Sequence, residues 1–276
     1  MPSRRRGAPS RQQLVAERRR RRATIELVLE RLGERYGHPR WHAARLDATS
    51  ELVLTILSQN NSDTNSARAF DLLRAAYPRW DDVLAADTLE LADKIRPGGL
   101  ANVKAPRIQA VLAEVRDATS GAPYDLSFLA TQPLADAKAW LAALPGIGPK
   151  TAAIVLLFSF GRPALPVDTH VFRVATRLGL LPAKTDVVRA HDLLERSLAL
   201  DEVYPFHVEL IRHGREVCAA RRPVCEICPL TDTCAYYREV VSRAAAPARP
   251  RPRSIDRISD PDAWRDELLH GALPPE

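Results

Sequence analysis

A chain of 276 residues can bury a substantial core in one or two domains, and no apolar run approaches the length of a membrane-spanning helix. The net charge is +6, from 40 basic and 34 acidic residues. Residues 1–23 contain nine arginines and one glutamate, a net charge of +8, so the other residues together carry −2. Composition therefore excludes a membrane-spanning protein and places the basic charge at the N-terminus.

The N-terminal segment has too few apolar residues to fold alone, so we predict a basic disordered arm over residues 1–21. Its arginines can make salt-sensitive phosphate contacts that do not depend on base sequence. Two other interpretations are an arginine-rich tail without a special role and an organellar transit peptide, since acidic residues are sparse there. Apolar residues at helical spacing then predict a first helix over residues 22–36.

An apolar face at helical spacing predicts a buried helix just before the polar cluster of residues 58–63. Ser62 or Asp63 can cap the helix that follows this cluster. More short helices are predicted over residues 86–115, where a Gly-Gly pair precedes Leu100. Such a pair is ordinarily a helix C-cap, and the leucine after it makes the apolar contact of the cap.

The segment Leu144–Ala152, with the sequence LPGIGPKTA, is a predicted turn between helices. The two flanking helices are predicted over residues 135–143 and 149–160. Gly146 and Gly148 allow a sharp turn with an uncovered backbone, and Pro149 suits the first position of the second helix. The exposed N–H groups and the positive end of that helix form a seat for one phosphate. The sequence thus predicts a helix-hairpin-helix that binds nucleic acid.

Lys150 lies at the end of this turn, in a chain where only five of the 40 basic residues are lysines. A lysine near a helix N-terminus can lose its proton and attack as a neutral amine, which arginine cannot do. The hairpin alone favours neither a nucleophile nor a phosphate contact. Asp168, eighteen residues further on, precedes an amphipathic run, and by itself it indicates a helix N-cap.

All four cysteines lie within seventeen residues, at Cys218, Cys225, Cys228 and Cys234. Their absence elsewhere argues against a disulfide-stapled secreted fold and for one four-thiolate site in a reducing compartment. Zinc sites usually have two close cysteine pairs, whereas this spacing has one; four cysteines at uneven spacing also suit a [4Fe–4S] cluster. The spacing alone leaves both groups open.

The hairpin with Lys150, followed by Val167-Asp168-Thr169-His170, resembles the signature of the endonuclease III family of DNA glycosylases. The resemblance covers about residues 22–240. It implies an all-α protein of two helical domains with the active-site cleft between them. These are a six-helix domain with the helix-hairpin-helix at residues 44–164 and an iron–sulfur cluster domain at residues 22–43 plus 165–240. Residues 241–276 are then a Pro/Arg-rich linker and a C-terminal tail.

The same resemblance implies the chemistry of the site. Lys150 would be the nucleophile and Asp168 its essential carboxylate partner. The intervals of six, two and five residues between the cysteines match the cluster motif of the family, so the resemblance implies a [4Fe–4S] cluster on the four thiolates.

The resemblance also assigns DNA contacts. A loop after the first buried helix would enter the duplex, where Asn60 or Gln59 fills the gap left by the flipped base, and Leu100 would wedge the strands apart. Phosphates would be contacted from the hairpin and from the cysteine loop, by Gly146, Gly148, Thr151, Arg221 and Arg222.

The expected function is a bifunctional DNA glycosylase and abasic-site lyase that removes damaged bases, oxidised pyrimidines above all, from duplex DNA. We expect a monomer in a bacterial-type cytoplasm or nucleoid, with damaged or abasic double-stranded DNA as its partner and no membrane. Two alternatives are a monofunctional glycosylase of the adenine-mismatch type, against which Lys150 argues, and a weakly catalytic iron–sulfur protein that binds damaged DNA.

Overall fold

The computed structural model describes residues 10–119 and 123–241. These residues form α-helices with short 3-10 turns and one π-helical turn at Tyr237–Val241, and they contain no β-strand. The helices are α1 (Arg11–Tyr36), α2 (Ala48–Ser58), α3 (Asp63–Ala76), α4 (Trp80–Ala85), α5 (Thr88–Lys94), α6 (Ala101–Ala118), α7 (Leu134–Ala143), α8 (Pro149–Phe160), α9 (Thr169–Leu178), α10 (Val187–Glu195) and α11 (Val203–Glu216). The predicted all-α class is confirmed. None of these helices has the length and apolar character needed to cross a membrane. The predicted linker and tail lie, beyond Val241, outside the described residues.

The chain divides into two compact units. One unit is Pro39–Asp168 and contains α2 to α8. In it, α2 packs against α3 and α8, α5 packs against α6, and α7 packs against α8. Its core is made of fully buried aliphatic side chains, among them Leu52, Ile56, Ile108 and Leu156. The hairpin and the loops that carry Asn60 and Leu100 therefore belong to a single helical body.

The other unit contains the described residues up to His38 and those from Thr169 onward. Its central element is α11, which packs against α9 and α1. From Val203 to Gly214, all but one of the residues of α11 are buried, so this helix is enclosed on every side. The cysteines follow directly after α11, which anchors the start of their loop.

Helix α1 begins at Arg11, so the predicted disordered arm is wrong for residues 11–21. Ser10 and Gln13 form a capping box, in which Gln13 Oε1 accepts a hydrogen bond from the Ser10 backbone N–H at 2.7 Å. Arginine is also a strong helix former. Arg21 donates to the Leu180 carbonyl at 2.7 Å, so the basic end of α1 is held on its own unit. The arm residues 1–9 lie outside the described residues.

The two helices of the hairpin, α7 and α8, confirm the predicted bounds within one residue. Helix α8 ends at Phe160 with Gly161 as its C-cap, and residues 162–168 form no helix and include a buried stretch, Ala164 to Val167. Seven residues of extended chain span up to about 23 Å, whereas the twelve residues of α8 are about 18 Å long. The segment is thus long enough to bring Asp168 back to the level of the hairpin.

We expect Gly161→Ala to lower the free energy of unfolding by about 2–3 kcal/mol. Gly161 has a φ of 63°, and a Cβ there would lie 2.7 Å from the ring of Trp41. That ring cannot move freely, because its Nε1–H donates to the Phe158 carbonyl at 3.0 Å. Gly37→Ala is the control, since Gly37 has a φ of 91° but open space around it; it should cost about 1 kcal/mol. Urea unfolding measures both, and equal losses would contradict the contact with Trp41.

Candidate functional site

The hairpin presents free backbone amides at the start of α8. Ala152 makes the first helical hydrogen bond, to the Gly148 carbonyl at 3.0 Å, so the N–H groups of Lys150 and Thr151 have no acceptor within the helix. Pro149 has no N–H and occupies the first helical position, as predicted. Lys150 is exposed, whereas the Thr151 side chain is buried. Thr151 can therefore meet a ligand through its backbone amide alone.

Asp168 is half-buried and lies one residue before α9. It ends the unit that contains Lys150, after the return segment from α8. An exposed amine at a helix N-terminus and a carboxylate from the same unit are the groups that a nucleophilic amine mechanism requires. Lys150 and Asp168 thus belong to the same unit, the first exposed and the second half-buried.

Asn60 and Leu100 are two of the three non-glycine residues with a left-handed backbone in the described part of this unit; the third is Tyr124. Asn60 has a φ of 54° and is exposed, and Leu100 has a φ of 50° with its side chain 58% exposed. The ordinary interpretation of the Gly-Gly pair as a C-cap is confirmed, since Gly99 caps the 3-10 turn Arg96–Gly98, but Leu100 after it is exposed instead of packed. Asparagine adopts the left-handed conformation readily, whereas in Leu100 it is strained. Leu100 therefore combines a strained backbone with an exposed apolar side chain, which indicates a role outside the fold.

Gln59, in contrast to its neighbour, is held within the protein. Its Oε1 accepts a hydrogen bond from Arg107 Nη1 at 2.8 Å, and its Nε2 lies 3.5 Å from the Gly146 carbonyl. Gln59 therefore links α6 to the hairpin turn. Of the two candidate amides, only Asn60 is exposed.

Lys104, one of the neighbours of Leu100 that match the family in sequence, is buried in this region. Its ammonium donates to the carbonyls of Leu57, Gln59 and Gly98 at 2.7, 2.7 and 2.6 Å. Burial and the nearby Arg107 guanidinium lower the pKa of Lys104 to about 8, so the group is mainly charged at pH 7. A sequence signal exists, because Lys104 shares the apolar face of α6 with Ile108, four residues later.

The four cysteines line one pocket in the second unit, together with apolar side chains such as Val174 and Leu230. All four are free thiols. Burial, and then the neighbouring thiols, raise the pKa of Cys225 to about 11 and that of Cys228 to about 12. In the described residues no group of three or more His, Cys, Asp or Glu side chains has the geometry to hold a metal ion. The pocket nevertheless supplies four sulfur donors in an apolar setting, which suits a thiolate-ligated metal group.

Two arginines of α9 fix the start of the cysteine loop. Arg173 Nε donates to the Cys218 carbonyl at 3.0 Å. Arg177 Nη1 lies 3.2 Å from Cys218 Sγ and donates to the Ala219 carbonyl at 2.8 Å. The sequence gives no sign of these contacts, because they join residues more than 40 positions apart.

His213 is a core residue next to this pocket. It is 1% exposed, and its Nε2 lies 3.4 Å from Cys228 Sγ. Burial lowers the pKa of His213 to about 4, so the ring is neutral at pH 7. His213 is thus a core residue and a neighbour of Cys228 that the spacing of the cysteines did not reveal.

Arg221 and Arg222 are exposed at the tip of the cysteine loop. The loop is closed beneath them by the Val224 N–H, which donates to the Val217 carbonyl at 2.9 Å. Arg177 Nη2 holds the approach to the tip through the Ala220 carbonyl, also at 2.9 Å. The loop therefore presents two positive charges to solvent from a braced backbone.

Comparison with known proteins places the chain in a family. The sequence profile of the HhH-GPD superfamily of base excision DNA repair proteins matches residues 53–198, more than half of the chain. Endonuclease III of Sulfolobus acidocaldarius is 35% identical over 188 residues, which are 67% of this chain and 81% of that protein. The chain belongs to the endonuclease III family. Endonuclease III of Thermotoga maritima is 32% identical over 214 residues, or 78% of this chain and 93% of that protein.

A solved structure of a trapped endonuclease III–DNA covalent intermediate has the same fold. It superposes with a TM-score of 0.69 and 28% identity, over 81% of this chain and 99% of that one. The protein is thus an endonuclease III-like DNA glycosylase of base excision repair. The part of the chain matched by the family profile includes the hairpin, Asp168 and the loops that carry Asn60 and Leu100, while the cysteines lie beyond it.

Proposed function

We propose that this glycosylase is bifunctional: it removes damaged bases, oxidised pyrimidines above all, from duplex DNA and then cuts the strand as an abasic-site lyase. The observation that carries the proposal is the exposed Lys150 amine at the N-terminus of α8, with Asp168 at the end of the same unit. A similar fold is known as a trapped covalent complex of endonuclease III with DNA, which supports a protein nucleophile.

In this mechanism the neutral Lys150 amine attacks C1′ of the damaged nucleotide. The bond between C1′ and the base breaks, and the base leaves with the electron pair and takes up a proton. Asp168 accepts the amine proton or stabilises the positive charge that develops on the sugar. The nitrogen lone pair then expels O4′, which takes up a proton as the ring opens, and the nitrogen keeps its second proton. The product is a protonated Schiff base, which acidifies the C2′ proton. Removal of that proton breaks the C3′–O bond and releases the 3′ phosphate ester.

Access to C1′ requires that the nucleotide leave the base stack. We assign Asn60 to the gap in the duplex and Leu100 to the wedge between the strands. Gln59 is the weaker candidate for the gap, because Arg107 and the hairpin already bind its amide. Exposure at both tips and the strained backbone of Leu100 support this assignment.

We further propose that Cys218, Cys225, Cys228 and Cys234 hold a [4Fe–4S] cluster. Their shared pocket supplies four sulfur donors, and the match of their spacing to the cluster motif of the endonuclease III family supports iron and sulfide over zinc. When bound, the cluster supplies a structural cross-link between the four chain positions. Arg221 and Arg222, on the loop between the first two cysteines, would then bind DNA phosphate.

The proposed function is tested by measuring base release and strand cleavage separately on a duplex with one oxidised pyrimidine. A bifunctional enzyme releases the base and cuts the strand without further treatment. Base release with breaks that appear only after hot alkali would overturn the lyase assignment and leave a monofunctional glycosylase. Binding without base release would leave a DNA-binding protein with little catalysis. An adenine-mismatch duplex in the same assay checks the other substrate class.

Gly148→Ala is expected to weaken DNA binding about tenfold with a loss of stability of at most about 1 kcal/mol. No atom lies within 4 Å of a Cβ built on Gly148, and its φ of −98° suits any residue, so the fold accommodates alanine. The added methyl group would instead obstruct a phosphate at the amides of Lys150 and Thr151. Fluorescence anisotropy with an abasic duplex and urea unfolding provide the two measurements.

Gly146→Ala is the contrasting variant. Gly146 has a φ of 70°, and a Cβ there would lie 2.3 Å from Arg107 Nε. We therefore expect it to lose stability as well as affinity. Unchanged DNA affinity of Gly148→Ala would remove the hairpin amides from the phosphate site.

A further inference from the structure

The ammonium of Lys104 joins two loops that are far apart in sequence. Its three N–H donors meet three backbone carbonyls at 2.6–2.7 Å, and the residue is 2% exposed. Leu57 and Gln59 supply two of these carbonyls at the end of α2, and Gly98 supplies the third in the turn before α6. Each donor is used, and each acceptor lies beyond the regular hydrogen bonding of its own helix.

The bound carbonyls lie next to the two exposed tips. Asn60 follows Gln59 directly, and Leu100 is two residues after Gly98. A second contact joins the same loops, since Asn61 Nδ2 donates to the Pro97 carbonyl at 3.1 Å. The distance between the tips is therefore set by side chains that bind backbone, with Lys104 making most of the bonds.

The chemistry of this contact explains why a lysine is present in a chain that uses arginine for most of its basic residues. An ammonium is compact and directs three donors in a tetrahedral arrangement, which suits three converging carbonyls. A guanidinium is planar and too large for the same space. Removing the ammonium would leave the Gln59 and Gly98 carbonyls without this donor and the Leu57 carbonyl with only the 3.4 Å contact from Ser66 Oγ, which loosens both loops.

We propose that Lys104 is a positioning residue that holds Asn60 and Leu100 at the spacing needed to open a DNA duplex. The inference rests on the proposed function of these two tips. It has a specific consequence: the ammonium matters when a paired nucleotide must be extruded, and it does not matter when the substrate is already single-stranded. Lys104 has no part in the bond changes at C1′.

The test is Lys104→Met, which keeps the length of the side chain and removes its donors. We expect single-turnover base excision from a paired duplex to fall about 100-fold, because small displacements of positioning groups have effects of this size. Strand cleavage at an abasic site in single-stranded DNA should stay within about threefold of wild type. Lys94→Met, at the exposed end of α5, is the control for lost charge and should leave both rates unchanged.

Asn61→Ala is the second variant, for the case that Lys104→Met does not fold. It removes only the 3.1 Å contact between the loops, and it should lower duplex excision several-fold with no change on single strands. A double variant that combines Asn61→Ala with Leu100→Ala should show less than additive losses on the duplex. The reason is that the Asn61 contact with Pro97 acts by positioning the loop that carries Leu100. Equal losses on duplex and single-stranded substrates, or additive losses in the double variant, would overturn the proposal. The proposed function would still stand in that case if the wild-type enzyme excises the base. Wild type without excision would overturn both.

Discussion

Lys150→Gln is expected to abolish strand cleavage at an abasic site, by about 1,000-fold or more, because the amide side chain cannot form a Schiff base. Duplex affinity should fall by no more than about threefold, since the hairpin amides and the other basic residues remain. Lys150 is exposed, so its replacement should also leave folding unchanged. A gel assay of strand breaks and an anisotropy titration measure the two properties on one substrate.

Lys94→Gln is the matched control for this prediction, because it removes the charge of another exposed lysine in the same unit. It should cleave at the wild-type rate. Cleavage by Lys150→Gln at the wild-type rate would show that Lys150 is a phosphate contact. Loss of binding and cleavage in equal measure would point the same way.

Cys225→Ser is expected to eliminate iron from the purified protein and to weaken duplex binding about tenfold or more, because a site with three thiolates no longer closes the loop. The pocket between the cysteines would then lack the cross-link that supports the tip at Arg221 and Arg222. Iron and sulfide analysis, visible absorbance and anisotropy measure the outcome. A colourless wild-type protein that contains zinc would show that the four thiolates bind zinc and not an iron–sulfur cluster.

The double variant Arg221→Ala, Arg222→Ala distinguishes the effect of the cluster from that of the positive charge on the cysteine loop. Both side chains are exposed and lie apart from the sulfur donors, so the iron content should equal that of wild type. Duplex affinity should still fall, with a weaker dependence on salt concentration. Unchanged affinity would remove the cysteine loop from the DNA-binding surface.

The hairpin and its helices could be predicted from sequence because their signals are local. Glycine and proline limit the turn, and apolar residues at helical spacing define α7 and α8 on either side. Leu100 and Asn60 were likewise recognisable, but only through a family resemblance. The strained backbone of Leu100 and the exposure of its side chain are independent physical signs of a functional role, and neither follows from local sequence.

The start of α1 and the contacts of Lys104 could not be predicted for different reasons. A capping box and tertiary contacts of Arg21 and Arg22 extend α1 where the sequence has no apolar stripe. Lys104 reaches carbonyls six and more than 40 residues away, and local patterns carry no information on such partners. A lysine on an apolar helix face predicts a buried ammonium group, but the sequence does not identify the carbonyls that accept its hydrogen bonds.

Borohydride trapping on a duplex with a single abasic site tests the central claim most directly. Borohydride reduces a Schiff base to a stable amine, so a denaturing gel counts covalent protein–DNA adducts. The account predicts that wild type forms an adduct and that Lys150→Ala forms none at equal occupancy of the DNA. Wild type that binds the duplex without forming an adduct, or a variant that traps as well as wild type, would contradict the assignment of Lys150 as the nucleophile.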